Sequence, residues 1–192
     1  INKEETVLYA SFLTEDLDRA VELMSDMVFH STFPDHELDK EKEVILDEIQ
    51  SYEDNPSELI FDDFEDMIFK DHSLGRNILG NPQSLNQITR EDIIRFWSNY
   101  YQPSNMVFFV LGNVDFKKVI RLAEKYTGHL TLSDQISERI MPPLYVPQHK
   151  LIHKETHQAH VMVGNRGYDA HNNKRTGLYL LNNMLGGPGM NS

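Results

Sequence analysis

The run MVFFVLG at residues 106–112 constrains this chain more than any other stretch, because it has no polar side to turn to water. A short continuous apolar run reads as a strand buried on both faces. A strand so placed must be covered by other elements, and the rest of the sequence supplies candidates. TVLYASFL, residues 6–13, mixes β-branched, aromatic and aliphatic side chains as strands do. Behind Thr14, a candidate N-cap, Leu17, Ala20, Leu23, Met24, Met27 and Val28 recur at helical spacing until Pro34 breaks the pattern. A second helix is expected from Asp35 to about Glu53, with Leu38, Ile45, Ile49 and Tyr52 on its buried stripe.

Asn55-Pro56-Ser57-Glu58 places a capping residue, a proline at the first helical position and Glu at the third. A third helix should therefore run through Phe69, strongly buried through Leu59, Ile60, Phe61, Phe64, Met67 and Ile68. HSLGRNILGNPQSL, residues 72–85, reads as a loop, and Thr89-x-x-Asp92 starts a helix ending near Tyr101. Asp115 caps an amphipathic helix through about Tyr126, with Val119, Ile120, Leu122 and Ala123 inward. Strand, several helices, strand and helix make the expected class α+β, a sheet packed by helices.

Between residues 128 and 149 lie Gly128, Ser133, three prolines and no sustained periodicity, so a linker is expected at 133–147. A strand over 158–164 and a helix from about Asn173 to Leu185 follow, ending at LGGPGMNS. One strand and one helix cannot bury both faces of either. The expected organisation is a first domain over 1–132, lacking its N-terminal part, and the beginning of a second over 148–192.

The chain has no cysteine, which removes disulfides, thiolate zinc sites and thiol nucleophiles. Any metal must be held by His and carboxylate. A net charge of −12 opposes nucleic-acid binding, which relies on Lys and Arg at phosphates, and disfavours an anionic membrane surface. The charge is uneven: 24 acids against 8 bases give −16 over residues 1–100, and 6 acids against 10 bases give +4 beyond. No apolar run reaches the ~20 residues that span a bilayer, and INKEETVLYA has neither the basic nor the apolar part of a signal peptide. The sequence leaves the compartment open between cytoplasm and periplasm.

Glu41 and Glu48 are the first candidates for chemistry. Seven residues are nearly two helical turns, so the two carboxylates point the same way within about 20° and stand roughly 10 Å apart along the axis. Such a pair is either a wet helix face or part of a metal site, and carboxylate pairs on helices are more often the former. His153, His157 and His160 have ligand-like spacing, but in the expected strand His157 and His160 fall on opposite faces. Solvated histidines are the simpler explanation there, and His72 is expected to be structural. GNPQSL and LGRNILG lack the lysine of a phosphate loop, and LGGPG reads as a helix stop. Met24, Met27 and Met67 are expected in the core.

The blocks EKEVILDEIQSYEDNPSELIFDDF, HSLGRNILG and ITREDIIRFWSNYYQPSNMVFFVLGNVD, in this order and spacing, resemble the pitrilysin/insulinase family of zinc peptidases, which includes the mitochondrial processing peptidases. THQAHVMVGNRGY and LYLLNNMLGGPGMNS resemble the opening of that family's second homologous domain. The resemblance implies a processing-peptidase-like α+β fold and one zinc per complete catalytic domain. It implies zinc held by two histidines of an inverted His-x-x-Glu-His helix and by a downstream glutamate, with the Glu inside the motif as general base. Glu48 matches the downstream ligand and Glu41 the supporting acid seven residues before it.

No His-x-x-Glu-His occurs in these 192 residues. The resemblance therefore implies a fragment of a zinc metalloendopeptidase that is inactive alone and does not bind the metal. Peptides or unfolded protein would be its substrate, and the complete protein would work as a dimer or with a partner subunit. The alternative within the same fold is a non-catalytic peptide-binding or assembly subunit.

Overall fold

The computed structural model describes residues 1–130, 139–154 and 157–187 of the chain. The described residues form two compact units, one built from 1–51 with 78–141 and the other from 52–77 with 142–192.

The first unit begins with a single 3-10 turn, Thr14–Asp16, that leads into α1, Leu17–Phe29. Thr14 thus starts the turn, and Asp16 takes the N-cap position without a side-chain cap bond. After a five-residue connector, residues 30–34, comes α2, Asp35–Glu53, as expected. α3, Pro56–Ile68, belongs to the second unit. Back in the first unit, α4 (Pro82–Gln87) occupies part of the stretch read as a loop. Its start is written locally: Asn81 Oδ1 accepts from Ser84 N and Ser84 Oγ accepts from Asn81 N, a reciprocal capping box. α5, Arg90–Tyr100, starts on the same device at Thr89 and Asp92, and α6, Phe116–Thr127, on Asp115, whose Oδ1 accepts from Lys117 N at 3.2 Å.

The core of this unit lies between α1 and α6. Leu17, wholly inaccessible to solvent, packs with Val21 and Leu122, and Val110, Val114, Val119 and Tyr126 close around them. Burying a leucine completely contributes roughly 1.5–3 kcal/mol. At the α1–α6 contact Tyr126 donates its hydroxyl to Asp18 Oδ1 at 2.6 Å, and Lys125 Nζ reaches the same oxygen at 3.1 Å. The two donors, the tyrosine first, hold the Asp18 carboxyl below the usual carboxylate range.

The second unit contains α3, a 3-10 turn at Ser73–Gly75, and α7, Arg175–Gly186. His72 Nδ1 accepts from Leu74 N and so caps that turn, a structural role. A Cβ on Gly75 would lie 2.7 Å from the Phe69 carbonyl oxygen, which is why the turn carries glycine there. Arg166 ties the unit together: it donates to the Ile68 carbonyl at 2.9 Å, near the C-terminus of α3, and to the Pro143 carbonyl at 2.6 Å, and it lies over the Phe69 ring. The expected burial of α3 is overturned in part, since only Ile68 is buried and Phe61 is exposed.

The expected α+β sheet is not supported. Among the described residues there is no strand, and every regular element is a helix or a 3-10 turn. The runs 6–13, 106–112 and 158–164 carry no ladder, although Leu13 and Met106 have extended backbone angles. A strand is defined by hydrogen bonds to a neighbour, and no described segment pairs with these runs. Most of their side chains are exposed. Along 106–112 Val110 faces the core cluster, whereas Val107 (92% exposed), Phe109 (76%) and Leu111 (88%) face outward. The fully buried strand expected at 106–112 is therefore a run with no ladder, half-buried at Met106 and Val110 and exposed elsewhere.

Candidate functional site

α2 is polar on most of its surface, with Ile49 its one buried residue and Leu38 and Ile45 half-buried, so it lies on the first unit along a narrow apolar stripe. Glu41 and Glu48 stand on its exposed side. Among the described residues neither makes a hydrogen bond or an ion pair, whereas nearby charges are engaged: Lys40 Nζ meets Glu37 Oε1 at 2.9 Å, and Lys42 Nζ donates to the Ile88 carbonyl at 2.6 Å. Both carboxylates are thus free to take a ligand.

Glu41 borders an open depression of about 500 Å³ that it shares with Asp26, His30, Phe33, Glu37 and Leu38. Its acids are partly answered, since His30 Nδ1 lies 3.3 Å from Asp26 Oδ1. A second depression, about 280 Å³, shares Met27, Ser31 and Phe33 with the first and is lined otherwise by large apolar and aromatic residues including Leu8, Phe96 and Trp97. Met27, expected in the core, is exposed here because α1 turns it toward these depressions.

The connector between α1 and α2 is held from α5. Arg90 Nε donates to the Phe33 carbonyl at 2.7 Å and its terminal nitrogen to the Thr32 carbonyl at 2.9 Å. Trp97 Nε1 donates to the Val28 carbonyl at 2.7 Å, and its ring meets Phe33 edge-on with centroids 6.1 Å apart. Phe33 has φ +47°, in the left-handed region. These residues escaped notice in the sequence. Arg90 is one base among 18, its partners are backbone carbonyls 57 and 58 positions away, and no glycine or asparagine advertises the positive φ.

A zinc site takes three protein ligands and a water. Glu48 fits in kind, as a carboxylate with no competing partner. It does not suffice in number: no group of three His, Asp or Glu side chains among the described residues is placed to hold a metal. His153, His157 and His160 are exposed and form no such group. Elsewhere in the described chain, burial first and Asp62 second push the Tyr52 hydroxyl up to about 12.

Residues 1–82 match the family described as Insulinase (Peptidase family M16), and residues 87–192 match the Peptidase M16 inactive domain. An uncharacterised zinc protease of Bacillus subtilis is 35% identical over 187 residues, which is 97% of this chain and 45% of that protein. The beta subunit of the mitochondrial-processing peptidase of Saccharomyces cerevisiae is 34% identical over 133 residues, 69% of this chain and 29% of that subunit. Among solved structures, a protease from Helicobacter pylori superposes with a TM-score of 0.60 at 25% identity, over 64% of this chain and 30% of that one. An M16-like peptidase from Alicyclobacillus acidocaldarius gives 0.59 at 23% identity, over 67% and 30%. The chain spans about half the length of the curated relatives it matches, 45% for the B. subtilis protein.

Proposed function

Because this chain belongs to the M16, or insulinase, family of peptidases, we propose that it is part of a zinc-dependent metalloendopeptidase in which Glu48 is a metal ligand and Glu41 supports it. The observation that carries the assignment is the state of these two carboxylates, two turns apart on the exposed side of α2 and both without a partner among the described residues. A carboxylate with no competing hydrogen bond or cation keeps its oxygens free for coordination. The names of the relatives, zinc proteases among them, support a peptidase for the complete protein.

Bound zinc would supply a Lewis acid for a peptide carbonyl and a water acidic enough to attack it. In this proposal the remaining two ligands and the general base come from an inverted His-x-x-Glu-His motif, which these 192 residues do not contain. The chain alone is then inactive and holds no zinc firmly. Glu41, one turn-pair away from Glu48, orients ligands or water at the site. The substrates of the complete protein are peptides or unfolded segments, and its assembly is a dimer or a two-subunit complex. Residues 148–192 open the second homologous domain.

The test is zinc content per chain in the complete gene product, in its Glu48→Gln form and in this 192-residue chain, after zinc-replete expression. About one zinc in the first, lost in the other two, is expected for a three-ligand site that Glu48 completes. Equal zinc in the first two removes Glu48 from the site. No zinc in any of them favours the non-catalytic subunit.

A further inference from the structure

Taking Glu48 as a metal ligand, we infer that Arg90 is a positioning residue for the metal site: its guanidinium latches the α1–α2 connector and thereby sets the register at which α2 presents Glu41 and Glu48. The starting observation is the backbone of Phe33, with φ +47°. A bulky L residue seldom takes this conformation, and the residue before a proline, here Pro34, is ordinarily extended. Such backbone persists only where its surroundings over-determine it, and it gathers at functional sites.

Here the surroundings come from α5. One planar guanidinium fork takes the consecutive carbonyls of Thr32 and Phe33, at 2.9 and 2.7 Å, so the direction in which the chain leaves the connector is fixed at two atoms. Trp97 takes the Val28 carbonyl on the near side and lays its ring against Phe33. The platform itself is rigid, because Arg90 opens a helix closed by the Thr89–Asp92 capping box.

The same platform holds α2 a second time. Lys42 Nζ donates to the Ile88 carbonyl at 2.6 Å, one residue before the Thr89 cap. The stretch 33–42 is therefore tied to the junction 88–90 at both ends, and Glu41 lies inside the tied stretch, beside Lys42. A slip of one residue in the connector rotates a helix by about 100° and advances it about 1.5 Å. That rotation turns the face that carries both Glu41 and Glu48 away from its present direction. Arg90 bonds to neither glutamate, so it acts through α2 and not on the metal.

The experiment uses the complete gene product with Arg90→Met, Arg90→Lys, Lys42→Met and Glu48→Gln forms. Zinc affinity is read by competition with a chromophoric chelator, well below each thermal midpoint, with circular dichroism to confirm the fold. Arg90→Met is expected to bind zinc about ten-fold more weakly, the size of effect seen when outer groups that orient ligands are removed. Arg90→Lys keeps the charge and loses the fork, so it is expected not to restore the affinity. A merely structural arginine lowers the midpoint and leaves the affinity of the folded protein unmoved. Unchanged zinc affinity in Arg90→Met, with loss in Glu48→Gln, overturns the latch and leaves the Glu48 assignment standing. Unchanged affinity in Glu48→Gln overturns both. Should Arg90→Met not fold, Lys42→Met, which removes an exposed tie, decides by the same measure: weaker zinc binding supports the latch, and unchanged binding overturns it.

Discussion

Replacing Leu17 by Ala tests the packing of α1 on α6 more sharply than any other single change. Leu17 is 0% exposed and is ringed by Val21 and Leu122, with Val110, Val114, Val119 and Tyr126 behind them, so the removed atoms leave a hole that few neighbours can refill. A buried leucine cut to alanine typically costs about 2–5 kcal/mol, the upper end applying where the surroundings cannot collapse. The internal control is Leu23→Ala on the same helix, where the side chain is 60% exposed. Changes at such exposed positions stay within about 0.5 kcal/mol. Urea unfolding of the 192-residue chain, followed by the fluorescence of its single tryptophan, Trp97, reports on this unit directly. At about 1–3 kcal/mol per molar urea, Leu17→Ala is expected to lower the midpoint by roughly 1–2 M and Leu23→Ala to leave it nearly in place. Equal shifts for the two would refute the α1–α6 core as described.

Acid is expected to erase the difference between the wild-type chain and Asp18→Asn. The folded Asp18 carboxyl is held low by the Tyr126 hydroxyl and then by Lys125, so its contribution is present above the unfolded value near 3.8 and is lost as pH falls through the lower folded value. Urea midpoints at neutral pH and in strong acid check this, and a gap of the same size at both speaks against the contact. Gly75→Ala forces a Cβ to within 2.7 Å of the Phe69 carbonyl, an overpacking expected to cost about 1–3 kcal/mol. Gly177→Ala in α7 meets nothing within 4 Å and is expected to stabilise by up to about 1 kcal/mol. Thermal midpoints of the pair decide it, and the same sign for both counts against the close approach at Gly75.

Helix starts were legible because their causes are local. Thr89 with Asp92, and Asp115 ahead of Phe116, satisfy the first free N–H groups from a few residues away, and the structure keeps both. The same grammar stands at Asn81-Pro82, where the surrounding glycines concealed it. At Asn55 the local signal is present but differently used: Asn55 Oδ1 accepts from Ser57 Oγ and makes no cap bond to the backbone. The runs 6–13, 106–112 and 158–164 failed as strands for a non-local reason, since composition records how well a residue suits a sheet but not whether a neighbour is there to pair with it. For the candidate site, spacing alone placed Glu41 and Glu48 on one face, and the resemblance supplied their chemistry. Neither could point to Arg90 and Phe33, whose contact joins residues 57 apart through backbone atoms that carry no sequence signal.

The exposed side chains of 106–112 bear on how copies of this chain meet in solution. Val107, Phe109 and Leu111 offer a short-range apolar attraction of about 25 cal/mol for each Å² two copies cover, while a net charge of −12 pushes them apart from further away. The repulsion reaches about 8 Å at physiological ionic strength and only about 3 Å at 1 M salt, whereas the attraction does not weaken with screening. Any association through this side is therefore expected to strengthen with added salt, which light scattering at low and at about 1 M salt reads directly.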